Sequence, residues 1–390
     1  MASNWHRTAI GNHIDLLTGF PFGSEHYTEE TVDVRLLRGD NVIQGTIRWE
    51  DVKRWPVSQT ADLERYQLAE NDIVIAMDRT WVKAGLKIAQ IKKKDTPSLL
   101  VQRVARLRAK GELDQDYLAQ CINGYRFEQY VKGSQTETAV PHISPRQICD
   151  FTIPFPRIEE QRKIAAILRT WDEAIENLDW LFHSLETLSS ALRQKYFEKQ
   201  FACDKSLAKA SRIFEPVSER ARPDLPLLAV MQDLGVVRRD ELDRRVAMPD
   251  GDISNYKVVR PGDFVISLRS FEGGLEYSKV LGLVSPAYTV LRPIREINGD
   301  YYRHFFKSRS FIGRLDKLIF GIRDGKQIAF RDFGDMRIPN PSFKVQESDA
   351  AALNQAASLL ELNQKRKQSL EKQKRGLMQK LLTGQWRVKA

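Results

Sequence analysis

The chain repeats itself at an offset of 185 residues. The segment IPFPRIEEQRKIAAIL starts at Ile153, and a related segment, IPNPSFKVQESDAAAL, starts at Ile338. The same offset aligns ALRQKYFEKQF, from Ala191, with GLMQKLLTGQW, from Gly376. Self-similarity over such a distance indicates that one structural unit has been duplicated. Because 390 residues also exceed the usual size of a single core, we predict two related globular bodies.

Both copies have the same order of local patterns. Short apolar runs such as IVIAM at Ile73 and FVISL at Phe264 lie between Gly, Pro and Asp turn signals, as expected of strands. Helix-like stretches follow, and each copy then ends in an Ile-Pro-x-Pro sequence. Pro156 and Pro341 suit the approach to a helix, because proline is tolerated before a helix or in its first turn. The pattern predicts a mixed α/β (α+β) fold in which each body is followed by a long helix.

Apolar residues in both long helices recur in steps of three and four, the spacing of a coiled-coil seam. In the first helix one seam position is occupied by Ser189, and in the second the stripe is interrupted by Asn363 and Lys367. Neither stripe can stay exposed, so each helix needs a partner. The residues predicted to pack between helices are Ile164, Leu168, Trp171, Ile175, Leu178, Phe182, Leu185 and Leu192 in the first helix, and Leu353, Leu360, Leu370, Leu377 and Leu381 in the second.

Charge favours pairing of the two helices with each other. Residues 158–200 carry eight acidic and six basic side chains, whereas residues 361–390 carry two acidic and nine basic ones. Opposite charge balance stabilises pairing, and two helices related by a pseudo-twofold axis must run antiparallel. The alternative is two separate helices that each cap their own domain. The predicted segments are a first body, 1–156; a first helix, 157–202; a second body, 203–342; and a second helix with its tail, 343–390.

No catalytic or metal-binding motif is convincing. Cys121, Cys149 and Cys203 are an odd number at wide spacing, which predicts neither disulfides nor a zinc site. The tetrapeptides NPSF and SPAY lack the second proline of the amino-methyltransferase motif (N/D/S)PP(Y/F). The stretch GIRDGKQ is one residue short of a phosphate-binding loop. We therefore predict a chain that performs no catalysis of its own.

Bulk properties suggest a polyanionic partner and no membrane. The formal net charge of +10 fits a nucleic-acid partner. No apolar run approaches the ~20 residues that a membrane span needs, and the N-terminal stretch lacks the apolar region of a secretory signal. The chain is predicted to be cytoplasmic. The basic residues of the second helix are predicted to face the acidic helix, a partner protein or a DNA backbone, and the sequence does not rank these three.

These features together resemble the specificity (S) subunits of type I restriction–modification systems. The resemblance rests on the repeat, the Ile-Pro-x-Pro exit, EEQRKIAAIL at the start of the first helix, LMQKLLTGQWRV at the end of the second, and phrases such as LRGDNVIQGTI from Leu37. It implies two tandem pseudo-repeated target-recognition domains, each reading one half of a bipartite asymmetric sequence in double-stranded DNA. It also implies that the two long helices form an antiparallel coiled coil that sets the gap between half-sites.

The resemblance further implies a division of labour. Two methyltransferase (M) subunits dock on the helices and methylate adenine with S-adenosylmethionine, and restriction (R) subunits with ATP and Mg join them for cleavage. On this view the chain itself binds no cofactor. Two alternatives stay open: a coiled-coil scaffold or oligomerisation protein that makes no DNA contact, and a stand-alone DNA methyltransferase with its own recognition domain. A neighbouring gene with an NPP(Y/F) motif would favour a specificity subunit over both.

Two pairs of polar loops occupy corresponding places in the two halves. One pair precedes the exit strands, at Gly133–Ser144 and Gly321–Asp332; the other follows the apolar runs, at Asp78–Gly85 and Leu268–Gly274. Arg and Lys suit phosphates and guanine edges, and Gln and Thr suit other base edges. The candidate DNA-binding residues are Arg79, Thr80, Lys83, Gln135, Thr136, Thr138, Arg269, Ser270, Arg323, Lys326 and Gln327.

Overall fold

The computed structural model describes residues 5–82, 85–133, 142–202, 206–232, 234–242, 253–266, 274–319 and 330–388. Contacts divide the chain into two compact units. Unit 1 comprises Met1–Asn177 and Arg366–Ala390, and unit 2 comprises Leu178–Lys365. Both dividing points fall inside long helices, so each unit contains one body and part of each helix. The division into four consecutive segments therefore remains a prediction from the sequence.

Unit 1 is organised around an antiparallel four-stranded sheet. Its strands are β1 His6–Ala9, β2 Ile14–Thr18, β3 Val34–Leu37, β4 Val42–Ile43, β5 Thr46–Ile47, β6 Arg54–Trp55, β7 Ile73–Ala76, β8 Trp81–Val82, β9 Gly85–Leu86, β10 Ile88–Gln90, β11 Ser98–Leu100, β12 Val104–Ala109 and β13 Thr152–Phe155. The main sheet has the order β10–β7–β12–β2, and a smaller one has the order β11–β3–β6. Strand β1 pairs with β13, and β4–β5 and β8–β9 are hairpins. All four residues of β7 are buried, as expected of a central strand.

The helices of unit 1 close one face of this sheet. They are α1 Gln115–Ile122, α2 Tyr125–Gly133 and α3 Pro145–Asp150, followed by the long helix α4 Ile158–Ala202. Helix α1 begins where Asp114 accepts a hydrogen bond from the backbone N of Tyr117, and α3 begins with a capping box at Ser144. The core of the unit joins residues of β7, β10 and β12 to α1, to the start of α4 and to Leu381.

Unit 2 repeats the same architecture. Its strands are β14 Leu207–Lys209, β15 Phe214–Val217, β16 Leu228–Met231, β17 Gly235–Arg238, β18 Lys257–Val259, β19 Phe264–Ile266, β20 Leu275–Tyr277, β21 Gly282–Val284, β22 Thr289–Pro293 and β23 Arg337–Pro339; its helices are α5 Gly299–Phe306, α6 Arg309–Ile319, α7 Phe330–Asp335 and α8 Phe343–Leu382. The main sheet has the order β20–β19–β22–β15, and β14 pairs with β23. This is the strand order of unit 1, so the predicted duplication and mixed α/β fold are confirmed.

Two hydrogen-bonding arrangements recur at the Ile-Pro-x-Pro exits. The hydroxyl of Tyr117 donates to the carbonyl O of Pro154, and that of Tyr302 donates to the carbonyl O of Pro339, both at 3.0 Å. The side chain of Gln161 donates 2.9 Å to the carbonyl O of Pro156, and an equivalent bond of 2.9 Å joins another glutamine and proline, Gln346 and Pro341. These buried bonds explain why the exit and the helix start are the best-matched parts of the repeat.

The two long helices pair antiparallel within each unit. In unit 1, Lys374 of α8 pairs with Asp172 of α4, while further along α4, in unit 2, Asn363 bonds to the carbonyl O of Leu178. As residue numbers rise along α4, those of its contacts on α8 fall. Helix α8 ends at Leu382, just before Gly384, whose φ of +72° suits a residue beyond a helix C-terminus.

The residues predicted to pack between the helices differ in burial, and their packing against one another remains a prediction. Ile164, Leu168, Leu353 and Leu381 are buried. The other nine are partly buried: Trp171, Ile175, Leu178, Phe182, Leu185, Leu192, Leu360, Leu370 and Leu377. Two polar residues at seam positions, Ser189 and Asn363, are also buried. We refer to this row of positions as the seam.

Candidate nucleic-acid interface

Two of the predicted DNA-binding residues, Arg79 and Thr80, lie in the described part of the chain. Both belong to the turn that follows β7. The remaining candidates lie outside the described residues: Lys83, Gln135, Thr136, Thr138, Arg269, Ser270, Arg323, Lys326 and Gln327. The described part of the predicted interface therefore lies in unit 1, next to the end of β7.

The turn after β7 separates the roles of its two candidate residues. The side chain of Thr80 is fully buried, and its hydroxyl donates 2.8 Å to the carbonyl O of Met77. The carbonyl O of Thr80 accepts 2.7 Å from the backbone N of Lys87. Arg79 is exposed and has a φ of +48°, a left-handed conformation that is uncommon for a non-glycine residue. Thr80 thus fixes the turn, while Arg79 is presented to solvent.

Asp78 joins the two predicted loops of unit 1. Its Oδ1 lies 2.6 Å from Nδ1 of His142, a residue of the predicted Gly133–Ser144 loop. Its Oδ2 accepts 2.8 Å from Nη1 of Arg103. Burial alone would raise the pKa of Asp78, but the bonds from His142 and Arg103 outweigh burial and leave that pKa below its ordinary value. The carboxylate is therefore charged at neutral pH and holds two cationic or polar groups.

A second turn, in the segment LRGDNVIQGTI, brings Arg38 and the following Arg48 to the end of β7. The buried Asn41 accepts 3.0 Å from the backbone N of Arg38 and donates 3.0 Å to the carbonyl O of Arg48. Gly39 directly follows Arg38, and a Cβ added to Gly39 would lie 3.8 Å from the Cβ of Ala76, the last residue of β7. Asn41 thus sets the positions of both arginines beside the turn that carries Arg79.

Lys87 lies among these charges. Its side chain is mostly buried. Burial lowers its pKa, the charges of Arg79 and Arg48 lower it further, and those of Asp40 and Asp78 raise it. Two arginines and two aspartates therefore influence the charge of this lysine. We call Arg38, Arg48, Arg79, Lys87 and Arg103 the unit 1 basic cluster. These five cations outnumber the three nearby carboxylates of Asp40, Asp78 and Glu50, so the surface suits a polyanion.

Three arginines of this cluster, Arg38, Arg48 and Arg103, are not among the predicted DNA-binding residues. Arg38 lies in the segment LRGDNVIQGTI, which contributes to the family resemblance, and Arg48 directly follows that segment. Arg103 precedes β12 and has a φ of +66°. Its position beside Asp78 depends on the pairing of β12 with β7, which no local pattern reveals.

Ion pairs also occur in the described part of unit 2. Arg222 donates to Asp224 at 2.9 Å, and Arg238 donates to Asp240 at 2.7 Å. Lys307 pairs with the buried Glu276.

The described residues contain no group of His, Cys, Asp and Glu arranged to hold a metal ion. Burial raises the pKa of the Cys121 thiol to about 12, so this cysteine is protonated and unreactive. Cys149 is partly buried, and Cys203 lies outside the described residues. Within the same ranges, no helix is both long and apolar enough to span a bilayer.

Comparisons with known proteins agree on one family. The family model for the type I restriction modification DNA specificity domain matches residues 43–179. The chain is 34% identical over 189 residues to the type I restriction enzyme EcoAI specificity subunit of Escherichia coli, an alignment that covers 48% of this chain and 31% of that protein. It is 29% identical over 174 residues to the MjaVIII specificity subunit of Methanocaldococcus jannaschii, covering 44% of this chain and 40% of that protein.

These two alignments therefore span about a third to two fifths of the curated relatives. The likeness of fold extends further. The crystal structure of a type I restriction–modification S subunit from M. genitalium superposes with a TM-score of 0.59 at 17% identity, covering 97% of this chain and 96% of that one. At such low identity the superposition establishes the fold, which agrees with two repeated units and a pair of long helices.

Proposed function

We propose that this chain, which belongs to the family of specificity subunits of type I restriction–modification systems, selects the DNA target of a larger cytoplasmic complex. Each body is a target-recognition domain that reads one half of a bipartite, asymmetric sequence. The helix pair sets the gap between the half-sites. The observation that carries the proposal is the repetition of one sheet order in two units that share an antiparallel helix pair.

The dimensions of the helices suit such a role. Half-sites read from one face of B-DNA lie about 34 Å apart, or a multiple of that distance. Helix α8 contains 40 residues, which corresponds to a length of ~60 Å. Phosphate contacts from the unit 1 basic cluster supply affinity, and base-edge contacts from the neighbouring loops supply specificity. Arg79 is the predicted contact that the described structure presents to solvent.

Methyl transfer and cleavage belong to other subunits in this proposal. Two M subunits bring S-adenosylmethionine and methylate adenine, and R subunits bring ATP and Mg for cleavage. The chain itself binds no cofactor and performs no catalysis. The absence of a convincing methyltransferase motif in the sequence favours this division over a stand-alone enzyme.

The helix pair offers a surface for an M subunit. In unit 2, Trp180 and Leu188 of α4 are 72% and 63% exposed, and Leu181, Leu359 and Leu362 are also exposed. Leu181, Leu188 and Leu359 each come one residue before a seam position. Because the helices run antiparallel, such positions on both helices flank the same side of the seam. We call this surface the apolar helix face, and contiguous exposed apolar side chains mark protein-binding surfaces.

The function is tested with the full chain and an M subunit from the same organism. The pair is expected to methylate adenines in one bipartite sequence with labelled S-adenosylmethionine, as mapped by sequencing of methylated bases, while the chain alone transfers no methyl group. Methylation by the chain alone, or methylation by the pair at a continuous site, would overturn the proposal.

Docking on the apolar helix face is tested by the double variant Leu181→Ser and Leu188→Ser. It is expected to lose copies of M in mass measurements of the purified complex, because it removes the two exposed leucines that α4 contributes to the face. A matched control is Glu186→Ser with Gln364→Ser, which changes exposed residues on the opposite side of the seam. Equal loss of M in both double variants would contradict this docking site.

A further inference from the structure

The carboxylate of Asp78 holds an arginine at the surface of unit 1. Oδ2 of Asp78 accepts 2.8 Å from Nη1 of Arg103, although the side chain of Arg103 is 73% exposed. A guanidinium that donates to a carboxylate can donate to a phosphate in the same way, because both anions present paired oxygens to the N–H groups. The pair thus has the chemistry of a protein–DNA backbone contact, with a carboxylate in place of the phosphate.

The backbone on both sides of this contact is held in an uncommon conformation. Arg79 and Arg103 have φ values of +48° and +66°, and the carbonyl O of Arg103 accepts 2.8 Å from the backbone N of Met77. Side chains that are not glycine reach this region at a cost in free energy, and such residues cluster at binding sites. The fold therefore fixes two arginines beside one carboxylate.

Asp78 lies among several cations. The rest of the unit 1 basic cluster stands around the same turn, with Arg38 and Arg48 held by Asn41. A phosphodiester backbone approaching these cations meets Asp78 at the point where Arg103 is held. Repulsion between Asp78 and a phosphate favours transfer of the guanidinium from one anion to the other.

We propose that, without DNA, Asp78 occupies at Arg103 the position that a backbone phosphate of double-stranded DNA takes in the complex. Asp78 thereby weakens binding to DNA of arbitrary sequence. The inference rests on the proposed function, since it assumes that unit 1 contacts DNA. It adds Asp78 as a residue that opposes non-specific DNA binding. It also adds Arg103, which lies outside the predicted loops, as a phosphate contact.

The test measures binding of the full chain to a fluorescein-labelled 30-base-pair duplex of arbitrary sequence, by anisotropy over a series of salt concentrations. Asp78→Asn is expected to tighten binding about two- to fivefold, the range that the loss of an exposed ion pair implies. Arg103→Gln is expected to weaken binding and to reduce the slope of log affinity against log salt by about one. The double variant is expected to bind like Arg103→Gln, because Asp78 acts through Arg103.

A matched control separates this effect from a change in net charge. Glu29→Gln also removes one carboxylate from an exposed ion pair of unit 1, in which Glu29 accepts 3.0 Å from Lys53. It is expected to leave binding within about twofold, since a surface charge change alone has a small effect. Equal tightening by Glu29→Gln and Asp78→Asn would overturn the proposal, as would tightening by Asp78→Asn that persists in the Arg103→Gln background.

Thermal melting of each variant identifies a purely structural role. An Asp78→Asn chain that melts earlier and binds the duplex no more tightly would overturn the proposal. The proposed function is read separately. If the unsubstituted chain binds no duplex, either alone or with M, that function fails; if it binds and the variants leave affinity and salt slope unchanged, the inference about Asp78 fails by itself.

Discussion

Nδ2 of Asn363 donates 2.8 Å to the carbonyl O of Leu178, and these two residues are equivalent positions of the internal repeat, 185 residues apart. A residue meets its own repeat equivalent where two antiparallel helices cross their local twofold axis. Here the meeting point is occupied by an apolar residue on α4 and a buried amide on α8. The helices therefore make a polar contact at this point, and we expect this contact to fix how they align.

Replacing Asn363 with leucine tests this role in alignment. Asn363→Leu is expected to raise the melting temperature, because a buried polar residue at a coiled-coil seam lowers stability in return for a defined register. The same change is expected to loosen the register. Cysteines introduced as Asp172→Cys and Lys374→Cys, whose side chains pair in unit 1, should cross-link less completely in the Asn363→Leu background. Unchanged cross-linking together with a lower melting temperature would contradict this role.

Acid is expected to destabilise unit 2 through His304. Burial lowers the pKa of this histidine to about 4. A hydrogen bond of 2.8 Å to Oδ1 of Asn354 acts in the opposite direction. The charges of Arg303 and Arg193 also lower the pKa, whereas that of Asp300 raises it. In the unfolded chain the pKa is about 6.5. The folded state therefore binds the proton less well, so the contribution to stability is complete above pH 6.5 and is lost as the pH falls towards 4.

The size of this effect is on the order of 3 kcal/mol, at 1.36 kcal/mol per pKa unit. Urea unfolding at pH 7.5 and at pH 4.5, monitored by hydrogen exchange of the backbone amides of α5, measures this loss of stability. His304→Gln keeps an amide that can donate to Asn354 and has no titrating group, so its stability in unit 2 is expected to vary less over this range. A variant with the same acid sensitivity as the parent would rule out His304 as the source.

Gln161 and Gln346 are expected to stabilise their own units to similar extents. Each glutamine is buried and donates 2.9 Å to a proline carbonyl O. Oε1 of Gln161 also accepts 2.9 Å from the backbone N of Asp114, and Oε1 of Gln346 accepts 2.9 Å from the backbone N of Asn298. Substitution by leucine removes these bonds from buried or partly buried backbone groups, at a cost of up to about 1–3 kcal/mol each. Hydrogen exchange should locate the loss in unit 1 for Gln161→Leu and in unit 2 for Gln346→Leu; a loss in the other unit would be inconsistent with separate bonding.

Glu160 is expected to hold the segment beyond α8 against unit 1. Arg387 donates to both of its carboxylate oxygens, at 2.8 and 2.9 Å, and Trp5 donates 3.2 Å to one of them. Burial alone would raise the pKa of Glu160, but these donors leave it below its ordinary value. The stabilisation from this contact is therefore complete above the ordinary pKa of a glutamate. It is lost as the pH falls through the lowered pKa of Glu160.

The variant Arg387→Ala measures this contact. It leaves a nearly buried carboxylate without its cation, so limited proteolysis near Arg387 is expected to become faster and unit 1 less stable. Lys209→Ala, which removes an exposed cation from Asp335 in unit 2, serves as a control and is expected to have little effect. Equal protease sensitivity in the two variants would show that Glu160 does not hold the segment.

The elements that follow from a repeating local pattern were predicted well. The offset between Ile153 and Ile338 indicated two units, and the spacing from Ile164 to Leu192 indicated a coiled-coil helix, because periodicity is a local property of sequence. The grouping of Arg103 with Asp78 and His142 was not predictable. It depends on strand pairing and on left-handed backbone, both of which are set by tertiary structure. Thr80 shows the converse, since its residue type suited DNA while the turn buries its side chain.

The division of unit 1 between two distant segments also sets the order in which the protein can be completed during synthesis. Its core needs Leu381 and Leu382, but the whole of Leu178–Lys365, which is unit 2, is made before them. At about 5–20 residues per second, the ribosome takes roughly 10–40 s over that stretch. The body that emerges first is therefore finished last, and throughout this interval its unfilled apolar surface is available to chaperones or to another nascent chain.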